Sequence, residues 1–222
     1  MAYLQAESLR REFPPAVVAL ADATLEIELG ESVAICGRSG SGKSTLLALL
    51  GLLDAPSGGS CRIDGVATEQ LRRRQRAEFR RTHIGFVFQS FHLIPHLTAT
   101  ENVIVALDTR GTRRSQQRRR AVAELERVGL ADRLNSLPVT MSGGEQQRVA
   151  IARAVATAPP ILLCDEPTGN LDSTTAHDVL EILLTATTAT AVVIVTHEEA
   201  VASRCDRTVW VNDGVLTETR AE

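Results

Sequence analysis

The chain has 222 residues, 44% hydrophobic and 23% charged, with a net charge of −3; it is long enough for a full core, too apolar for disorder, and without a global basic field for nucleic acid. Five Phe, one Tyr and one Trp leave no stacked-aromatic platform for single strands. The charge-free stretch 182–197 holds six Thr or His in 16 residues, too short and too polar to span a bilayer.

The opening MAYLQAESLRREF has no apolar segment and no cleavage site, so no secretory signal is expected. Residues 3–9 and 23–29 alternate polar and apolar, as half-buried strands do. Gly30-Glu31 turns the chain into a short buried strand, Ser32–Cys36. The loop GRSGSGKST follows, and then an apolar helical run over residues 45–53. Pro56, Ser57, Gly58 and Gly59 read as a loop, and residues 60–63 with Asp64-Gly65 as a strand and hairpin turn. A basic helix is expected over 69–81 and a strand over Ile84–Phe88.

The middle of the chain changes character. Residues 90–158 hold no β-rich run but show helical patterns at 100–107, 115–128 and 142–156. Pro159-Pro160 ends them. Residues 161–164 and 191–196 are continuous apolar runs, the pattern of parallel strands covered on both faces. Residues 208–211 and Val215–Thr217 flank Asp213-Gly214 as a closing hairpin. The expected architecture is α/β: one domain over 1–222, with a core from 1–89 and 159–222 and a helical subdomain at 90–158.

Gly37-Arg38-Ser39-Gly40-Ser41-Gly42-Lys43-Ser44 fits G-x-x-x-x-G-K-[ST] between an apolar strand and an apolar helix. The glycines permit a tight loop whose N–H groups turn inward around phosphate oxygens, and the helix behind adds its positive end. Lys43 is placed to reach the β- and γ-phosphates and Ser44 to ligate Mg²⁺; Thr45 completes the cradle. Lys43 is also the single lysine among 24 basic residues. A chain that uses Arg everywhere else has kept the one compact ammonium where a planar guanidinium would not pass through a narrow loop.

The apolar run 161–164 ends in Asp165-Glu166. Asp165 is placed to hold Mg²⁺ through its water shell, and Glu166 to act as general base toward an attacking water. His197 closes the strand at 191–196 and can point at the γ-phosphate. Gln89 follows Ile84–Phe88 and can offer a carbonyl to Mg²⁺. The four cysteines, Cys36, Cys61, Cys164 and Cys205, have no C-x-x-C spacing and are expected to be reduced core residues.

Met141-Ser142-Gly143-Gly144-Glu145-Gln146-Gln147-Arg148 resembles the signature of ABC-type ATPases, with Met141 for the usual Leu and Glu145 for the commoner Gln. The resemblance spans the chain: the phosphate loop, Gln89, the signature, Asp165-Glu166, Gly169-Asn170-Leu171-Asp172 and His197 follow the family's order. It implies a phosphate-loop NTPase fold with a RecA-like core, an N-terminal antiparallel β-subdomain and an inserted helical subdomain. It implies that Phe13 stacks on adenine, and that ATP and Mg²⁺ are bound between two copies of the chain. Ser142, Gly143 and Gly144 of one copy would then face the γ-phosphate held by the other. The stretches GFVFQSFHLIPHLTATENV and PTGNLDS resemble the branch of lipoprotein-release, macrolide-export and cell-division ATPases (LolD, MacB and FtsE types). That branch implies a separate permease of the FtsX or MacB kind and a position on the cytoplasmic face of the membrane. A minimal importer ATPase or a cell-division ATPase are the alternatives. A nucleic-acid-directed member is disfavoured by one phosphate loop, no heptads and no zinc spacing.

Three further expectations come from residue chemistry. Ser142-x-x-Glu145 is a capping box, and the Glu145 charge, close to an incoming anion, is expected to temper closure of the dimer. Arg72, Arg73, Arg74, Arg76, Arg80 and Arg81, then Arg110, Arg113, Arg114, Arg118, Arg119 and Arg120, read as solvated helix faces, with lipid headgroups the alternative partner. The run Ser90 to Pro95, which ends in a helix-breaking Pro, is expected to leave Leu93 in an exposed apolar groove for a permease helix.

Overall fold

The structure is a computed structural model that describes residues 2–108, 113–185 and 189–218. Two long strands, β1 (Leu4–Phe13) and β2 (Val17–Ile27), lead into β3 (Ser32–Cys36) and helix α1 (Lys43–Leu50). Strands β4 (Gly58–Ile63) and β5 (Val66–Ala67) precede α2 (Arg73–His83) and β6 (Ile84–Phe88). Helices α3 (Ala99–Leu107), α4 (Arg114–Arg127) and α5 (Gly143–Val155) come next without an intervening strand. The chain returns through β7 (Ile161–Asp165), α6 (Ser173–Thr185), β8 (Ala191–Val195), α7 (Glu199–Ala202), β9 (Arg207–Asn212) and β10 (Val215–Thr217).

The ten strands order as β5-β4-β1-β2-β10-β9-β3-β8-β7-β6. Strands β9, β3, β8, β7 and β6 run parallel; β5, β4, β1 and β2 are antiparallel, and β10 joins the two halves. The fully buried strands behave as their apolar runs require. Ile161 and Leu163 of β7 face one core with Val193 and Val195 of β8 and the leucines of α1. Leu162 and Cys164, with Val192 and Ile194, face a second core filled from α3, α4, α5 and α6. Period-two alternation thus sends successive side chains into two cores, one on each side of the sheet.

Several boundaries move for local reasons. The first hairpin extends well past residue 9, because its arms stay paired through Phe13 and Val17. Gly58-Gly59 belong to β4 rather than a loop. Gly59 has φ +80° beside the bulge at Ser8, where a Cβ would stand 2.2 Å from the Ser8 carbonyl oxygen. The basic helix starts at Arg73, after a 3₁₀ turn at Thr68–Gln70. Helix α6 was not expected: its Ser-Thr-Thr start favours a turn reading, yet Asp172 accepts from the Thr175 N–H at 3.1 Å and opens the helix.

Helix α2 buries none of its residues, as a solvated face does. Arg80 donates to the Leu52 carbonyl oxygen and Arg81 pairs with Glu78. Arg110 lies outside the described residues. All four cysteines are free, and burial raises the Cys61 and Cys205 thiols to about 11, so they stay protonated at neutral pH. Among the described residues no helix is long and apolar enough to cross a membrane.

Candidate functional site

Parallel register aligns Ile35, Val195, Asp165 and Phe88 across β3, β8, β7 and β6. The residues that follow, Cys36, Thr196, Glu166 and Gln89, therefore leave the sheet along its carboxyl edge, where open α/β sheets carry their sites.

The phosphate loop begins there. Gly37, Gly40 and Gly42 all take positive φ, at 153°, 79° and 110°. A Cβ would meet the Val211 carbonyl oxygen at 2.3 Å from Gly37 and the Ala19 carbonyl oxygen at 2.4 Å from Gly42, so only glycine lets the loop lie between β2 and β9. Lys43, 8% exposed, curls back and donates from Nζ to the carbonyl oxygens of Gly37 at 2.8 Å and Arg38 at 2.9 Å. Helix α1 starts behind it with no side-chain cap and no acidic residue in its first turn. Its first N–H groups and its positive end are left for an anion. Ser44 is exposed and Thr45 half-buried on that turn. A cavity of about 1020 Å³ lies against the loop and includes Ser39, Ser41, His197 and Trp210 in its wall.

Asp165 and Glu166 end β7. Burial, and then the neighbouring Glu166 charge, raise the Asp165 carboxyl, while Lys43 pulls the other way. Glu166 stands at φ +43°, an uncommon conformation for a non-glycine residue, with its N–H fixed on the Val195 carbonyl oxygen at 2.9 Å. Its Oε1 lies 3.1 Å from His197 Nδ1. Gln89 and Asn170 are tied reciprocally: Gln89 Nε2 donates to Asn170 Oδ1 at 3.4 Å, and Asn170 Nδ2 donates to the Gln89 carbonyl oxygen at 3.1 Å. Gly169 keeps the Gln89 amide close to Glu166, because a Cβ there would be 2.9 Å from Gln89 Nε2 and 3.4 Å from Glu166 Oε2.

The signature stands apart from this group. Ser142 caps α5: Glu145 N–H donates to Ser142 Oγ at 3.2 Å, and Ser142 N–H donates to Glu145 Oε2 at 2.8 Å. Gly143 lies near Leu171 and Phe91, and Gly144 is pressed on Thr175. Among the described residues no hydrogen bond or ion pair joins Ser142, Gly143 or Gly144 to the phosphate loop. Phe13 ends β1 at 37% exposure. The Arg11 guanidinium lies 4.4 Å from its ring centroid and is itself held by Asp54 at 2.8 Å, so one ring face is covered.

The loop after Gln89 differs from its expectation. Leu93 is half-buried and packs on the second core, because Arg153 pulls the loop inward by donating to the carbonyl oxygens of Phe91 and His92 at 2.7 and 2.6 Å. Asn102, fully buried, accepts from the Ile94 N–H and donates to the carbonyl oxygens of Ile94, Leu97 and Thr98. Leu93→Glu should therefore lower the melting temperature of the isolated chain. A change of that size in a half-buried core contact costs about 2 kcal/mol, or roughly 4–8 °C at this length. An unchanged melting temperature would put Leu93 back on the free surface.

Arg153, Asn102 and Arg133, 2.8 Å from Glu145, were not singled out from the sequence, and Gln147 was read only as part of the signature, not as the donor to the Pro167 carbonyl oxygen at 2.7 Å. Their one available signal was a polar residue at a core-facing helical position, present at 102, 147 and 153.

Comparisons with known proteins bear on the whole chain. The ABC transporter family model matches residues 20–169. A lipoprotein-releasing system ATP-binding protein LolD from Bordetella pertussis is 46% identical over 218 residues, 96% of this chain and 94% of that protein. A macrolide export ATP-binding/permease protein MacB from Burkholderia thailandensis is 47% identical over 222 residues, but this chain spans only 34% of its length. Among solved structures, the dimeric post-hydrolysis state of the ATP-binding cassette MJ0796 bound to ADP and Pi superposes with a TM-score of 0.88 at 38% identity, covering 99% of this chain and 100% of that one. A second dimeric MJ0796 structure gives 0.88 at 39%. With the phosphate loop, the Asp165-Glu166 edge and the capped signature in place, these matches show that the chain belongs to the ABC transporter family and is homologous to the LolD and MacB ATP-binding proteins.

Proposed function

We propose that the chain binds and hydrolyses ATP between two copies of itself and passes the resulting movement to a separate membrane permease. The observation that carries this reading is the carboxyl edge of the sheet, where the glycine loop around Lys43 lies beside Asp165, Glu166, His197 and Gln89. Adenine would stack on the open face of Phe13. The N–H groups of residues 39–45 and the Lys43 ammonium, released from the Gly37 and Arg38 carbonyl oxygens, would hold the β- and γ-phosphates. Glu166 Oε would take the proton of a water attacking the γ-phosphorus as the bond to the β,γ-bridging oxygen breaks, giving ADP and inorganic phosphate. His197, oriented by Glu166, would donate to a γ-phosphate oxygen.

The oxygen set of Ser44 hydroxyl, Asp165 carboxylate and Gln89 amide fits Mg²⁺, and the raised Asp165 carboxyl is a charge that a cation would offset. Bound Mg²⁺ supplies charge neutralisation for the β- and γ-phosphates. The second copy would offer Ser142, Gly143 and Gly144, whose helix end is directed at an anion. Segment 90–158 would move as a unit around the Gln89–Asn170 tie. The permease would be of the FtsX or MacB kind, and the chain would then lie at the cytoplasmic face of the membrane; the extent of the LolD and MacB matches supports export or force transmission over import.

The direct test is ATPase activity of the purified chain with Mg²⁺ against protein concentration at saturating ATP. Two half-sites require the activity per chain to rise with concentration and then level off. Activity per chain independent of concentration down to nanomolar protein, with the chain monomeric, would overturn the two-copy reading, and no activity at any concentration would overturn hydrolysis.

A further inference from the structure

The Glu145 carboxylate does not stand alone at the head of α5. Its Oε2 accepts from the Ser142 N–H at 2.8 Å, and its Oε1 accepts from Arg133 Nε at 2.8 Å. Arg133 ends a 3₁₀ turn at Ala131–Arg133, and the Ser136 N–H donates to its carbonyl oxygen at 3.0 Å, so the turn that presents it is hydrogen-bonded on both sides. The Glu145 side chain is 17% exposed and that of Arg133 49%. The Ser142 N–H and the Arg133 guanidinium hold the carboxyl below the usual range, so Glu145 is ionised at neutral pH.

An ionised carboxylate in the first turn of α5 competes with any anion for the same helix end. It also repels a phosphate, and at a few ångströms that repulsion is substantial even under surface screening. Yet Ser142, Gly143 and Gly144, the residues proposed to receive the partner copy's γ-phosphate, immediately precede it. From this juxtaposition we propose that Arg133 is a positioning residue for the signature. It turns the Glu145 carboxylate toward the 131–133 turn and cancels its charge, so that the N–H groups of Gly143 and Gly144 remain available to a nucleotide held by a second copy. The expected tempering of closure by Glu145 is therefore masked in the native chain and appears only when Arg133 is lost. The inference rests on the two-copy reading and adds the residue that makes a glutamate tolerable in this signature.

The test uses four chains in a Glu166→Gln background, with dimer formation read by sedimentation as Mg-ATP is titrated at fixed protein concentration. With the native pair, ATP drives dimer formation. Arg133→Ala should raise the ATP concentration for half-dimerisation by about tenfold, the scale of one lost charge-assisted contact, and the deficit should shrink in high salt. Glu145→Gln alone keeps the cap, because the amide oxygen can still accept from Ser142, and should shift the midpoint less than about threefold. The double variant Arg133→Ala with Glu145→Gln should return to within the same threefold. A purely structural Arg133 would leave the double variant as poor as Arg133→Ala. If Arg133→Ala dimerises like the native pair, or the double variant is not rescued, the assignment fails. If the Glu166→Gln parent does not dimerise with ATP at all, it is the two-copy reading that fails.

Discussion

Glu166→Gln should lower ATP turnover by ~10²–10⁴-fold, the range for losing a positioned general base, while leaving nucleotide binding in place. The amide is isosteric, and the local frame does not depend on the charge: the residue's N–H is fixed on the Val195 carbonyl oxygen and the next turn closes with Gly169 N–H on the Glu166 carbonyl oxygen. His197 can still meet the side-chain oxygen of the amide, so orientation survives and proton acceptance does not. With hydrolysis blocked, Mg-ATP should hold two copies together long enough to elute as a dimer in gel filtration, and removal of ATP should return the monomer. Turnover at the native rate would remove Glu166 from the general-base role and shift attention to His197.

The second large effect belongs to the lone lysine. Lys43→Arg should reduce kcat by about 10²–10³-fold, the scale of losing one preorganised donor to a transition-state oxygen. The structure makes the reason concrete. Nζ is buried between the carbonyl oxygens of Gly37 and Arg38, inside a loop whose glycines at 37 and 42 already touch Val211 and Ala19. A guanidinium is too wide for that bay, and forcing it in would open the loop that positions the N–H groups. The melting temperature of the nucleotide-free variant should stay close to native while ATP no longer protects it. Native activity in this variant would make the compositional oddity an accident.

What the sequence disclosed and what it concealed divide along physical lines. The parallel strands were legible because burial on both faces writes itself as unbroken apolar runs, as at Ile161–Asp165 and Ala191–Val195. The tight glycine loop was legible because Gly37, Gly40 and Gly42 all take positive φ, and at Gly37 and Gly42 a Cβ would run into backbone. Helix α6 was missed because Ser173, Thr174 and Thr175 have turn chemistry, and only the Asp172 cap and the spacing of Val179, Leu180 and Leu183 reveal it. The 90–97 loop was misread because it is tied down by side-chain to backbone bonds that hydropathy does not write: those of Asn102 a few residues on, and those of Arg153 some sixty residues away. The Arg133–Glu145 pair was hidden for the same reason: a charge was visible in the signature, but its neutralising partner twelve residues earlier was one arginine among 23. Sequence reading found groups whose chemistry is local and lost those whose role depends on a contact made by folding.

On the two-copy reading, one copy of the chain carries two halves of different sites, and mixing two inactive variants separates those halves. Lys43→Arg disables the phosphate loop. Gly143→Asp disables the signature by placing a carboxylate where the anion should sit, at a position with ordinary room for a Cβ, the nearest atoms being 3.7 Å away. Each variant alone should be inactive. In a head-to-tail dimer, a mixed pair unites an intact phosphate loop from the Gly143→Asp copy with an intact signature from the Lys43→Arg copy. The mixture should then recover a measurable fraction of native ATPase activity, greatest near equal amounts. No recovery at any ratio, with both variants folded and mixed dimers demonstrated, would contradict the account.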